Sequence, residues 1–328
     1  VYSSVNKLLK NDIMTSQILN SSTTKTNKIK QLLELGFTRK QVAELMGVGY
    51  GFVQNVYAKT YPSQINRRGN TSLNSSLNTS LSTFQAIAFN QQFGVEIEAY
   101  NVDKNVLQTE LTRLGISARV ENYNHVVRGH WKIITDGSIR GSQGFEIVSP
   151  ILQGQDGLNQ LEKVCKALKN CNALINKSCG IHIHFDASRL QLEEFKNVIM
   201  NYANLENVID SFLPTSRRAN NNSYCKSILK YKSKVNNART INQLTNAIPN
   251  RYSKLNTQSY SRYNTIEFRH HSGTIEFEKL NNWILFLHNL VEYSKTKRLS
   301  RVNFDTLTTF NQPTIYNYLQ NRKTILAA

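Results

Sequence analysis

A strict two-residue alternation in four short segments, FGVEIEAY, GFEIVSP, CGIHIHFD and NTIEFRHHS, constrains this chain more than any other feature. In a β-strand successive side chains point to opposite faces, so residues i and i+2 share a face about 6.5–7 Å apart. Phe93, Val95, Ile97, Ile181, Ile183, Phe185, Ile266 and Phe268 then make one apolar face, and Glu96, Glu98, His182, His184, Glu267 and Arg269 the other. A lone Glu-x-Glu is what the wet face of an antiparallel strand ordinarily carries. Several strands rich in carboxylate and imidazole, almost without Lys, gather charges that perturb one another unless a cation neutralises them. Carboxylate mixed with imidazole, and no paired Cys, suits Mg2+ or Mn2+ better than structural zinc.

The 328 residues are enough for one sizeable domain and a small one. No apolar run approaches the roughly 18 residues of a membrane span. The first residues show no basic segment followed by an apolar stretch and a cleavage site, so no export signal is expected. The four cysteines, Cys165, Cys171, Cys179 and Cys225, form no C-x-x-C pair, which fits a reducing cytoplasm. A formal net charge of +18 points to a polyanionic partner: nucleic acid, a nucleoside triphosphate, an acidic peptide or a cell-envelope polymer.

Residues 1–24 are weakly patterned and read as an extension. Over 25–61 the pattern is helical: Ile29, Leu32 and Leu33 precede Gly36, placed as a C-cap. Thr38 is a good N-cap before Val42, Ala43 and Met46, and Val53 and Val56 mark the inside of a third helix. GFTRKQVAELMGVGYGFVQNVYAK resembles the helix-turn-helix units of phage and bacterial DNA-binding proteins. Lys25, Lys28, Lys30, Arg39, Lys40 and Lys59 outnumber Glu34 and Glu44, so phosphate contacts would make affinity salt-dependent. The candidate DNA-contacting residues are Arg39, Lys40, Gln54, Asn55 and Lys59; a protein-docking module of three small helices is the alternative. Residues 62–84 are rich in Ser, Asn and Thr and read as a flexible linker.

From 85 to 300 strands and helices mix. Strands are expected over 93–100, 125–135, 144–149, 180–186, 264–269 and 273–278, and helices after Asp156, over 190–212 and over Leu280–Tyr293. This predicts an α+β domain, a mostly antiparallel sheet with helices on one side, with 301–328 as a C-terminal tail. Neither G-x-x-x-x-G-K-[ST] nor G-x-G-x-x-G occurs, so a nucleotide would not sit on a P-loop or a Rossmann turn.

FGVEIEAY, WKIITDGSI with GFEIVSPIL, CGIHIHFD, RYSKLN and TIEFRHHSGT before a Trp-containing helix together resemble the amidoligase family, among the glutamine-synthetase-like carboxylate–amine ligases. The resemblance covers residues 90–298. It implies ATP-dependent amide formation through an acyl phosphate, between a carboxylate and an amine on an amino acid, peptide or protein. Glu96, Glu98, Glu146, Glu267 and His182 would hold the metal ions. His184 would contact phosphate or nucleotide, or serve as a further metal ligand. Arg269 would stabilise the transferring phosphoryl group, or simply pair with Glu267. Lys132 would place positive charge near phosphate. Asp136 would position or deprotonate the amine, or only form its Asp-Gly turn.

Arg217 matches the family's substrate-loop arginine, and Arg251 and Asn256 would contact nucleotide or the substrate carboxylate. Cys179 reads as a small buried residue, and His125, His130 and His288 as satisfied or surface histidines. Two rival readings use the same residues: a DNA-binding regulator whose ligase-like domain is a sensor, and a metal-dependent amide hydrolase. The resemblances also imply a bacterial host, with phage encoding an option, and the lack of a long apolar run leads to the expectation of no membrane partner. They leave the oligomeric state open.

Overall fold

The computed structural model describes residues 18–19, 21–34, 39–60 and 88–327. Gly36, Thr38, the proposed linker and most of the N-terminal extension lie outside the described residues. The described residues fall into two compact units, divided between residues 80 and 81.

In the smaller unit α1 (Lys25–Glu34), α2 (Arg39–Met46) and α3 (Tyr50–Thr60) close on Ile29, Leu32, Val42, Ala43, Val53 and Val56. These are the positions that the helical spacing picks out. Gly47 turns the chain between α2 and α3 at φ +59, its N–H on Glu44 O and that of Val48 on Ala43 O. A left-handed backbone at that point is what glycine supplies without strain.

The larger unit is one sheet packed with helices. In chain order it contains β1 (Gln92–Ala99), α4 (Lys104–Arg113), β2 (Ala118–Val120), β3 (Trp131–Thr135), β4 (Phe145–Val148), β5 (Leu152–Gln153) and α5 (Gly154–Asn170). Then follow β6 (Gly180–Asp186), α6 (Leu192–Ser211), α7 (Lys232–Asn237), α8 (Ile241–Asn246), β7 (Leu255–Asn256), α9 (Tyr260–Tyr263), β8 (Thr265–Ser272), α10 (Phe277–Ser294) and α11 (Pro313–Ala327). The sheet order is β2-β3-β4-β1-β6-β8-β7, with β5 paired to β1. The β2–β3 pair is parallel and the other pairs are antiparallel. The fold is therefore α+β, as the alternating segments require.

The apolar face of β1, β4, β6 and β8 joins Leu158, Leu161 and Leu168 of α5, Phe195 and Ile199 of α6, and Leu280 and Leu287 of α10 in one core. Burying that face fixes the register, because a slip of one residue would turn every carboxylate inward.

Three local expectations are corrected. No strand forms over 273–278: Gly273 bonds back to Cys179 O at 2.8 Å, and α10 begins at Phe277. Phe277, Leu280, Trp283, Ile284 and Leu287 repeat with the period of a helix, which prevails over the short alternation before them. Asp156 sits in the first turn of α5 rather than at its cap, which is Gln153. The expected strand over 125–135 reduces to Trp131–Thr135. Residues 301–328 contain the 3-10 turn Phe304–Thr309 and α11, and their Leu307, Phe310, Ile315 and Leu319 join the main core.

Candidate active site

Register builds the polar face. Glu98 stands opposite Glu146 on β4, Glu96 opposite His182 on β6, His184 opposite Glu267 on β8 and that residue opposite Asn256 on β7. Lys132 of β3 stands opposite Val148, which is itself opposite Glu96. Directly paired residues share a face, so four strands converge their acids and imidazoles over the middle of the sheet.

His182 is the hub, with 5% of its surface exposed. Its Nδ1 lies 2.8 Å from Glu96 Oε2, 3.7 Å from Glu267 Oε1 and 4.0 Å from Glu146 Oε1, and its Nε2 lies 3.6 Å from Glu98 Oε1. Two sets of donor atoms result, Glu96/His182/Glu267 and Glu98/Glu146/His182, with the atoms of each set within 4.8 Å of one another. His184 bonds Thr265 Oγ1 through Nδ1 at 3.0 Å. Its Nε2 is buried without a hydrogen bond, 3.4 Å from Glu96 Oε1.

A β-bulge places Arg269. Ile183 pairs with Phe268 while Ile181 pairs with His271, so Arg269 and His270 together oppose His182. The extra residue keeps both His270 and His271 on the helix side, the latter against Trp283, while Arg269 stays with the acids. Its Nη1 is 2.6 Å from Glu267 Oε1 and 3.4 Å from His182 Nδ1.

The electrostatics follow from this crowding. Burial opposes ionisation of Glu96, yet the hydrogen bond from His182 and the charge of His184 and His182 hold its carboxyl well below the usual range. Glu267 is also buried, and Arg269, His184 and His182 lower it. Glu146 goes the other way: burial, then the charges of Glu96, Glu98 and Asp136, raise it well above the ordinary value. Burial pulls His184 down, but Glu267 and Glu96 outweigh it and raise its pKa. A well that holds both a carboxyl forced toward its neutral form, Glu146, and a buried imidazole nitrogen without a hydrogen bond, on His184, is in the condition that a bound cation relieves. Hard oxygen donors with one imidazole match Mg2+ or Mn2+.

The other expected residues take varied positions. Asn256 donates to Glu267 Oε2 at 2.5 Å. Arg217 is buried beside β6 and donates to Cys179 O. A Cβ on Gly180 would come within 3.2 Å of that guanidinium, so the glycine leaves its space. Lys132 gives its ammonium to Val126 O at 2.9 Å and to Asn124 O and Oδ1 at 3.2 Å, and burial lowers its pKa. Asp136 accepts from Ser138 N at 2.7 Å, closing its own turn. Arg251 is exposed, bonded to Tyr252 Oη at 2.9 Å and lying 4.8 Å above that ring.

Cys179 is buried as expected. His130 is 2.7 Å from Glu121 Oε1, and His125 is 3.3 Å from Tyr123 Oη. In the smaller unit Arg39 donates to Gln54 Oε1 at 2.8 Å and lies 4.7 Å above Tyr57. Asn55 and Lys59 are exposed on α3, and of Lys40 only the helical backbone is described.

Sequence reasoning missed a buried polar group behind β8: Tyr202, Glu206, Asp210, Lys254 and His270. Its signal was present in α6, where Glu206 and Asp210 stand at i and i+4 among Leu205 and Ile209, an acid pair on an apolar stripe. Tyr263, 6.1 Å from the His184 ring and bonded to His125 O at 2.9 Å, carried no sequence signal.

Residues 89–291 match the family described as putative amidoligase enzyme. No curated protein matches the chain.

Proposed function

The chain belongs to this amidoligase family, and from that premise we propose that the larger unit is an ATP-dependent carboxylate–amine ligase working through an acyl phosphate. The observation that carries the reading is the pair of carboxylate–imidazole sets sharing His182, with Arg269 against them. A substrate carboxylate attacks the γ-phosphate, ADP leaves, and an amine displaces phosphate from the acyl phosphate to form the amide. Bound Mg2+ or Mn2+ neutralises phosphate charge and orients the oxygens.

Glu96, Glu98, Glu146, Glu267 and His182 hold the metal. Arg269 meets charge on the transferring group, Arg217 acts from the substrate loop, Lys132 supplies positive charge near phosphate, and His184 contacts phosphate or nucleotide or serves as a further metal ligand. Arg251 and Asn256 lie toward the nucleotide or substrate carboxylate. Asp136, at the rim turn, orients the amine. In the smaller unit the exposed Asn55 and Lys59 on one face of α3 support a DNA contact, to which Arg39, Lys40 and Gln54 belong.

The test is ADP and phosphate release that requires Mg2+ or Mn2+, a carboxylate and an amine together, with amide products identified by mass spectrometry from a pool of amino acids and peptides. Glu98→Ala and Arg269→Ala should lose turnover and keep the fold; wild-type turnover in both sinks the site assignment. Amide cleavage with metal but without ATP would instead establish a hydrolase. A gel shift of the full chain that weakens with salt tests the DNA contact, and no shift at low salt removes it.

A further inference from the structure

We infer that the buried group behind β8 is a positioning device for both site arginines, with Asp210 acting through His270 and Lys254 on Arg269 and Arg217. This rests on the ligase reading for its catalytic consequence, though not for its geometry.

Asp210 Oδ1 lies 2.7 Å from Lys254 Nζ and 2.7 Å from His270 Nε2, and Lys254 Nζ lies 3.1 Å from Glu206 Oε1. Tyr202 Oη closes the chain on His270 Nδ1 at 2.9 Å. Lys254 and His270 are fully buried and Glu206 is 1% exposed. Burying such charges is costly, and apolar side chains of similar volume often pack with equal or greater stability. What the ions add is direction.

Three of these contacts lead to the backbone beside an arginine. His270 is the chain neighbour of Arg269 within the bulge, and the N–H of Arg269 donates to Lys254 O at 2.9 Å. His270 Nε2 is also 3.1 Å from Arg217 O. Asp210 Oδ2 accepts from Ala219 N at 2.8 Å, and Ala219 sits at φ +47, a left-handed backbone that a non-glycine residue holds only under constraint. Glu206 Oε2 accepts from Ile228 N at 3.0 Å, anchoring the far end of the same loop. One face of α6 thus grips the backbone on which Arg217 and Arg269 stand. Each guanidinium is held at an Nη, Arg269 on Glu267 and Arg217 on Cys179 O, but its buried Nε has no hydrogen-bond partner, so the backbone anchors share in setting its aim.

The experiment uses the full chain with arginine Nε–H signals followed by NMR, assigned with Arg217→Lys and Arg269→Lys. Two variants are compared, Asp210→Asn and the gentler Tyr202→Phe, which removes one hydroxyl and keeps every charge. Both should shift or broaden the Arg269 and Arg217 signals and leave that of Arg113 in place. In ATP turnover, Asp210→Asn should lower kcat about 10- to 100-fold, the loss expected of a misplaced catalytic group, with KM for ATP changing less. Adding it to Arg269→Lys should cost little more. Unchanged arginine signals and kcat, with only a lower melting temperature, would reduce the group to a structural ion cluster. A wild-type chain that turns over no ATP overturns the ligase reading alone, and the arginine signals then decide the positioning.

Discussion

His288 is buried on α10, its Nδ1 3.0 Å from Gln91 Oε1 and its Nε2 without a hydrogen bond. Burial pushes its pKa down to about 4. An unfolded histidine titrates near 6.5, so between pH ~6.5 and ~4 the unfolded chain binds the extra proton. The contribution is therefore complete above about pH 6.5 and declines as pH falls toward 4, by on the order of 3 kcal/mol in all. His271, pushed down to about 3, acts in the same sense. Denaturant midpoints measured at pH 7.5 and 4.5 should fall for the wild type and fall less for His288→Gln; equal falls would place the titration elsewhere. Lys132 carries a different lesson. Its place near phosphate came only from the family resemblance, and its partners were not legible, because Asn124 and Val126 present their carbonyls from an irregular loop where a strand was expected from residue 125. Lys132→Met should free that loop, and trypsin should cut faster after Arg128, which is 42% exposed along its side chain.

At the scale of elements, the sequence marks strands that are long and half-buried and passes over those that are neither. β1, β4, β6 and β8 were legible because a sheet with one wet face must alternate. β2, β5 and β7 have three, two and two residues, too few for any period, and their existence depends on neighbours to pair with. The bulge in β8 was hidden for the same reason, since Arg-His-His alternates as well in one register as in another. Helix starts are set as much by packing as by capping chemistry, as α5 shows. Gly154 opens α5 at φ +48, and a Cβ there would lie 2.6 Å from Phe89 O. Gly154→Ala therefore meets both left-handed strain and a backbone clash. The strain alone costs about 1–2 kcal/mol, and thermal unfolding should show at least that loss, whereas Gly129→Ala, with open space around it, should not.

For the whole molecule, the carboxylate well sets a balance that no single strand reveals. Glu96 and Glu98 of β1, Glu146 of β4 and Glu267 of β8 come from three strands, so all of their repulsion except that between the neighbours Glu96 and Glu98 exists only when the sheet is assembled. The five proposed ligands were legible as residue types on one face, because period-two alternation fixes the face and the apolar core fixes the register. Their sharing of His182 was not legible, since it depends on the strand order β4-β1-β6-β8, which sequence periodicity does not encode. A cation that binds this assembled well must stabilise the fold by mass action, because the unfolded chain offers no equivalent site. At a free concentration 100-fold above Kd the gain is about 2.7 kcal/mol. In a unit of this size each kcal/mol raises Tm by about 2–4 °C, so a rise of about 5–10 °C is expected with Mn2+ or Mg2+. A chelator should reverse it. Glu98→Gln, which damages one of the two donor sets, should reduce the response while easing the repulsion, so that the metal-free variant melts no lower than the metal-free wild type. A rise that survives Glu98→Gln and Glu267→Gln together, which remove a carboxylate from each donor set, would place the cation outside the well.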